Sequence, residues 1–200
     1  MEAVIFDLGN VLLTLDFDRA LNRLAAGCRK SRAELDRYIA TTPWANQLAT
    51  GELSKWDFFE TVVADLGYTG TFEEFAEAWS DMFAPNEPIL AVARALKGRL
   101  ARVILSNTNA IHMEYIFARY PCIHGFDGYV LSHEVGVQKP DRRIYDWALQ
   151  RYRLNPRQAV FIDDLAENVA GARAVGLHAI HHQTADQTRQ ELTKLGVSSI

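Results

Sequence analysis

Asp7, Ser106, Lys139, the adjacent pair Asp163-Asp164, and Asn168 have side chains and spacing that suit chemistry more than packing. Asp7 closes the apolar run Ala3–Phe6 and stands just before Gly9-Asn10. A carboxylate there serves as a metal ligand, a nucleophile, or the polar stop of an ordinary strand. Ser106 opens the polar turn Ser106-Asn107-Thr108-Asn109, whose hydroxyl and backbone N–H groups suit an anion, although a plain helix cap reads the same way. Pro140 fixes the backbone where Lys139 must point inward; in isolation that lysine also reads as a solvated side chain. Asp163-Asp164 follow the apolar run Val160–Ile162, with Asn168 shortly after. Two adjacent carboxylates are costly unless a cation or a proton neutralises one of them. Their hard oxygen atoms suit Mg²⁺, which takes one or two carboxylates, a substrate phosphate and waters.

Such residues act together only if the chain brings them to one edge, and its apolar patterning predicts how. Ala3–Phe6 reads as a strand buried on both faces. From about Asp16 to Ala84 the sequence reads as almost wholly helical, with capping boxes at Ser31–Glu34 and Thr71–Glu74. Ser54 caps a further helix, Lys55 to Leu66, that ends at Gly67. Phe17, Leu21, Leu24 and Ala25 share a helix face. The aromatic residues Trp44, Trp56, Phe58, Phe59, Phe72, Phe75, Trp79 and Phe83 read as the core of a small bundle.

Pro85-Asn-Glu-Pro88 reads as a hinge, and the pattern beyond it changes. Helices Ile89–Lys97, Asn109–Tyr120, Asp141–Tyr152 and Ala166–Val175 alternate with strands Arg102–Leu105, Tyr129–Leu131, Ala159–Ile162 and His178–His181. Asn155-Pro156 reads as a helix start, and 185–195 as a last surface helix. Alternation of this kind implies an α/β fold with a Rossmann-like, doubly wound parallel sheet. The expected division is a catalytic core from residues 1–15 and 86–200, with residues 16–85 inserted as a helical cap above the carboxyl edge of the sheet. A cap there suits an enzyme that must exclude water.

The 200 residues suffice for that core and insertion, and 48% hydrophobic with 23% charged residues is ordinary globular composition. A net charge of −4 argues against unaided binding to nucleic acid or anionic membrane. The N-terminus opens into a strand with no basic or long apolar segment, so no signal peptide is expected. Cys28 and Cys122 show no metal spacing and are expected as reduced thiols of a cytoplasmic protein.

The ordered set resembles the four motifs of the haloacid dehalogenase superfamily, over essentially the whole chain. Phe6-Asp7-Leu8-Gly9-Asn10-Val11, Leu105-Ser106-Asn107-Thr108-Asn109, Lys139-Pro140 and Phe161-Ile162-Asp163-Asp164 are especially similar to its bacterial α-D-glucose-1-phosphate phosphatases. The phosphatase domain of soluble epoxide hydrolases is a further relative. The resemblance implies a phosphatase in which Asp7 attacks phosphorus and forms an aspartyl-phosphate that water hydrolyses. It implies Mg²⁺ held by the Asp7 carboxylate, the Gly9 carbonyl and Asp164, with Asp163 beside it and Asn168 behind. It assigns Ser106, the Asn107 amide and Lys139 to the phosphoryl oxygens, with Gly9 and Asn10 next to the substrate. The expected partner is a small phosphate ester, with a monomer or homodimer as the working form.

One position departs from that pattern. Most phosphatases of the superfamily carry a second Asp two residues after the nucleophile as general acid and base, and here it is Gly9. Loss of a positioned acid forfeits roughly a hundred- to ten-thousand-fold in rate. A substrate with an easier leaving group, such as the anomeric oxygen of glucose 1-phosphate, is expected on that account, and the glucose-1-phosphatase relatives share the glycine. Asp16, Asp18 and Glu52 are the candidate substitute acids. Two rival readings are a 2-haloacid dehalogenase, which attacks carbon without metal, and a non-catalytic binding or regulatory module. The Asp163-Asp164 pair opposes the first, and the other intact chemical positions oppose the second. A phosphorylatable receiver domain carries its acidic pair early in the chain, so motif order excludes it.

Overall fold

The computed structural model describes residues 1–198. A five-stranded, wholly parallel sheet is built from β1 (Ala3–Phe6), β4 (Ala101–Ser106), β5 (Gly128–Leu131), β6 (Ala159–Asp163) and β7 (His178–His181). Its order is β5-β4-β1-β6-β7, with Ala3 level with both Ala101 and Ala159. The chain winds outward on one side of β1 and then returns to the other, so the switch point lies at the ends of β4, β1 and β6. Parallel α/β sheets hold their ligands at such a crevice.

The two-residue period of a strand puts alternate side chains on opposite faces, and both faces here are covered. Val4, Phe6, Ile104, Val160 and Ile162 pack with helices α6 (Glu87–Ala95), α7 (Ala110–Arg119) and α11 (Ala185–Lys194). Ala3, Ile5, Val103, Leu105 and Phe161 pack with α9 (Arg142–Tyr152) and α10 (Ala166–Ala174). Each such fully buried large side chain contributes about 1.5–3 kcal/mol. The expected strands and helices of this half of the chain are all present, with ends shifted by one or two residues. Asn155-Pro156 opens only a 3-10 turn, Pro156–Gln158.

Between β1 and β4 lie α1 (Phe17–Gly27), α2 (Arg32–Thr41), α3 (Trp44–Ala49), α4 (Lys55–Leu66) and α5 (Phe72–Ser80). Both capping boxes form, at Ser31–Glu34 and Thr71–Glu74, and α4 runs from its Ser54 cap to a left-handed Gly67. Trp44, Phe58, Phe75 and Trp79 meet in a third apolar cluster, as expected of a bundle core. Trp56 and Phe83 do not belong to it: Trp56 is half exposed and lies against Phe72, and Phe83 packs in the core beside the sheet.

Two details differ from the sequence reading. β2 (Leu13–Leu15) and β3 (Phe83–Pro85) form a short antiparallel ribbon where the chain enters and leaves the helical block. The Asn86 side chain donates to the Val11 carbonyl at 2.8 Å and its backbone N–H to Leu12 at 3.0 Å, fastening the two crossings together. Three-residue strands are too short to show a period, so residues 83–84 read as the end of a helix. The four-residue helix α8 (Ser132–Val135), ended by left-handed Gly136, escaped notice for the same reason. Both cysteines are free thiols, and no helix among the described residues is long and apolar enough to cross a membrane.

Candidate active site

The ends of β1, β4 and β6, with the loop before α9, bring Asp7, Ser106, Lys139 and Asp163-Asp164 to one place. Lys139 is at its centre. Its Nζ reaches Asp7 Oδ1 at 2.7 Å, Asp163 Oδ2 at 2.7 Å and the Leu105 carbonyl at 3.1 Å. An ammonium has three hydrogens, and each has one acceptor here. Its side chain is 1% exposed, which buried lysine tolerates only when paired. Asn107 positions it through the backbone: its Nδ2 donates to the Lys139 carbonyl at 2.9 Å, and its Oδ1 accepts from the Lys139 N–H at 2.8 Å.

Asp163 is fully buried and accepts from the Leu165 N–H (2.8 Å), from Asn168 Nδ2 (3.0 and 3.1 Å), and from Lys139. Asn168 therefore sits behind the carboxylates, and the Tyr145 hydroxyl donates to its carbonyl at 2.8 Å. Asp164 is the more accessible of the pair, and its Oδ2 accepts from the Asn10 side chain at 3.2 Å. Oxygen atoms of Asp7, Asp163 and Asp164 lie within 4.8 Å of one another. Three carboxylates against one ammonium leave two negative charges when all are ionised, which one divalent cation would cancel. The donor set is hard oxygen throughout and fits Mg²⁺.

Burial holds the Asp7 carboxyl up, to about 7. The Lys139 ammonium pulls against that, Asp163 adds to it, and the Leu8 N–H donating at 2.7 Å opposes it. A cation beside Asp7 would favour its ionised form further.

Ser106 is 3% exposed at the end of β4, followed by Asn107 and Thr108 in the turn before α7. The Ser132 hydroxyl ties that turn down, accepting from the Thr108 N–H at 2.9 Å and donating to its carbonyl at 3.0 Å. Gly9 does not have a positive φ; Asn10 takes the left-handed conformation instead, at φ 54°. A Cβ at Gly9 would meet Leu15 Cδ1 at 3.1 Å. The glycine is thus open to a side chain if Leu15 shifts by a few tenths of an ångström.

The three substitute acids all lie elsewhere. Asp16 caps α1 by accepting from the Arg19 N–H at 3.0 Å, Asp18 pairs with Arg32 at 2.8 Å, and Glu52 is exposed. Beside the site lies a chamber of about 300 Å³ whose wall includes Gly9, Ser106 and Asn107 together with Trp44, Leu48 and Trp79. None of the side chains lining it is an Asp or Glu. Sequence reasoning missed this chamber. Trp44, Leu48 and Trp79 recur like any bundle core, and periodicity cannot tell a face that meets another helix from one that meets a cavity. A wider depression of about 720 Å³, bordered by Arg23, Glu73, Glu74 and Glu77, shares no residue with the carboxylate cluster.

Residues 1–176 match the haloacid dehalogenase-like hydrolase family. Over 96% of its length this chain is 29% identical to D-ribitol-5-phosphate phosphatase of Bacteroides thetaiotaomicron, of which it covers 97%. It is 26% identical to a sesquiterpene phosphatase of Aspergillus oryzae, covering 97% of this chain and 96% of that one. Among solved structures, a haloacid dehalogenase family enzyme of Bacteroides thetaiotaomicron, in complex with magnesium and inorganic phosphate, superposes with a TM-score of 0.83 at 21% identity. That match covers 92% of this chain and 94% of the other, and at such identity it shows a shared fold.

Proposed function

The chain belongs to the haloacid dehalogenase-like hydrolases and acts on phosphoric monoesters, and from that premise we propose a Mg²⁺-dependent phosphatase working through a phosphoryl group carried on Asp7. The observation that carries this reading is the approach of three carboxylates within 4.8 Å beside a buried lysine. A carboxylate oxygen of Asp7 attacks phosphorus, the P–O bond to the alcohol breaks, and the alcohol oxygen takes a proton from water. Water then attacks phosphorus, the bond to Asp7 breaks, and inorganic phosphate leaves. Ser106 and the backbone N–H of Asn107 hold the phosphoryl oxygens, since the Asn107 side chain is committed to Lys139. Lys139 fixes the direction of Asp7 and offsets charge; it meets a phosphoryl oxygen only by releasing one of its three acceptors. Asp7, the Gly9 carbonyl and Asp164 would hold the metal. Asp163 stands beside it with its lone pairs committed to Lys139, Asn168 and Leu165. Bound Mg²⁺ supplies Lewis-acid polarisation of a phosphoryl oxygen and offsets its charge.

The proposal keeps residues 1–15 and 86–200 as catalytic core and 16–85 as cap, supported by the separate apolar cluster of the helical block. It also keeps a cytoplasmic enzyme, monomeric or homodimeric, that meets neither nucleic acid nor membrane; the net charge of −4 supports that. Between substrate classes the relatives divide. The ribitol phosphatase supports the sugar phosphate, such as glucose 1-phosphate, expected from sequence; the sesquiterpene phosphatase supports an apolar ester. The chamber chooses between them below.

Phosphate release from p-nitrophenyl phosphate is the direct test. Activity should require Mg²⁺, vanish in excess EDTA and return on adding Mg²⁺. Asp164→Asn should raise the Mg²⁺ concentration for half-activity by at least about tenfold. Full activity in EDTA would remove the phosphatase mechanism and revive the dehalogenase.

A further expectation concerns Gly9. With no carboxyl group lining the chamber, the leaving oxygen departs with little help from a protein acid, so kcat/KM should fall steeply as leaving-group pKa rises. Gly9→Asp should flatten that slope, because the position accepts a Cβ once Leu15 moves. A shallow slope in the unmodified enzyme, measured over aryl and alkyl phosphates, would mean that another proton donor acts.

A further inference from the structure

The chamber beside Ser106 has an apolar wall. Leu15, Leu21, Ile39, Leu48, Met82 and Phe83 line it, with the indoles of Trp44 and Trp79. Its polar residues gather at the phosphate end, where the amides of Asn107 and Asn109 are already engaged within the protein. Both amide atoms of Asn107 serve the Lys139 backbone. Asn109 Oδ1 accepts from the His112 N–H at 3.0 Å, and its Nδ2 meets His112 Nδ1 at 3.1 Å. With Nδ1 accepting, the imidazole is the neutral tautomer with its proton on Nε2. It stacks on Trp79 at 5.7 Å, and burial holds its pKa down, to about 4. The indole N–H groups of Trp44 and Trp79 and the Nε2 of His112 are buried and without a hydrogen-bond partner.

A hexose or a polyol would bring several hydroxyl groups into this space, and each one buried without a partner costs binding. These three donors, with no carboxylate in the wall and the amide oxygens of Asn107 and Asn109 already engaged, fall short of the paired donors and acceptors that a polyol needs. An apolar chain loses nothing there and gains from every methylene removed from water. A chamber of about 300 Å³ is at the small end of the range for small-molecule sites. Phe17, 56% exposed at the start of α1 and also part of this wall, is an apolar side chain left in solvent where such a group would enter.

We infer that the alcohol released by this enzyme is apolar, an alkyl, isoprenoid or aryl group, and not a sugar or polyol. This rests on the phosphatase reading for the chemistry and on the chamber for the choice of substrate.

The test uses a ladder of n-alkylphosphonates from ethyl to octyl, which bind without being cleaved. Calorimetry in Mg²⁺ and inhibition of p-nitrophenyl phosphate hydrolysis provide independent readouts. Affinity should rise roughly three- to fourfold per methylene until the chamber is filled. Glucose 6-phosphate should compete more weakly than propylphosphonate. Ala49→Leu adds bulk to the wall at a half-buried position, and should end the rise at a shorter chain. A flat ladder, glucose 6-phosphate competing better than octylphosphonate, or a ladder unmoved by Ala49→Leu would overturn the inference. Failure to hydrolyse p-nitrophenyl phosphate would overturn the phosphatase reading instead, and the calorimetric ladder would still decide the nature of the chamber.

Discussion

Replacing Asp7 by asparagine is expected to lower phosphate release by at least roughly a thousandfold, since the amide keeps the shape of the carboxylate and removes the nucleophile. Beryllofluoride with Mg²⁺, which mimics a phosphoryl group on a carboxylate, should bind the unmodified protein and not this variant. The same substitution should have the opposite effect on stability. Asp7 ionises at an ordinary 3.8 in the unfolded chain and at about 7 when folded, chiefly because of burial. Between those values the native protein holds a proton that the unfolded chain has released, so native stability falls as pH rises through that window. Asparagine has no proton to lose. In metal-free buffer, the melting temperature of Asp7→Asn relative to the unmodified protein should therefore climb between pH 4 and pH 7 and level off above. Substantial residual turnover would reduce Asp7 to a strand-end residue. A difference in Tm that shrinks with pH would reject the account of its burial.

Lys139→Met should damage both folding and turnover. The ammonium is in contact with Asp7, Asp163 and the Leu105 carbonyl, and methionine fills its space while leaving two buried carboxylates facing each other. Removing one partner from a buried ionic cluster costs about 3–5 kcal/mol, and that loss should appear as a lowered urea midpoint at neutral pH. Turnover should fall by roughly a thousandfold or more, because Asp7 loses the contact that aims it and the site loses the cationic side chain at its centre. Adding Asp163→Asn to Lys139→Met removes one of the opposed charges and should recover part of the stability but none of the activity. If the single variant melted and turned over like the unmodified protein, Lys139 would be a bystander to both.

The sheet and its chemical edge were legible because their signals are long or combinatorial. Val103-Ile-Leu105 and Val160-Phe-Ile162, like Ala3–Phe6, are apolar runs that end abruptly in polar residues, and three such endings with Lys139 ahead of the last are hard to produce by accident. The individual assignments were less secure. Asn107 carried an amide in the right turn, but nothing in its neighbours showed that the amide would be fixed on Lys139, more than thirty residues away in the chain. The left-handed conformation of the Gly9-Asn10 turn falls on Asn10, which the sequence leaves open because either residue type tolerates it. The expected sugar came from the family resemblance and the missing acid alone. The wall that speaks against it is assembled from Leu15, Leu48, Trp79 and Met82, whose common destination exists only in three dimensions.

The β2–β3 ribbon also bears on how the chain finds its fold. β1 is made first, yet its neighbour β4 begins only at Ala101, so the central pairing of the sheet would otherwise close a long loop. Inside the helical block α1 packs against α5, which also brings the two ends of the block together. Once Leu13–Leu15 has zipped to Phe83–Pro85, the whole excursion shortens to a tight crossing. Loop closure scales with the logarithm of length, so the shortcut lowers the entropic barrier to β1–β4 pairing by about 1 kcal/mol, or several-fold in rate. Destabilising the ribbon should thus slow refolding of the sheet while leaving each apolar cluster intact once formed.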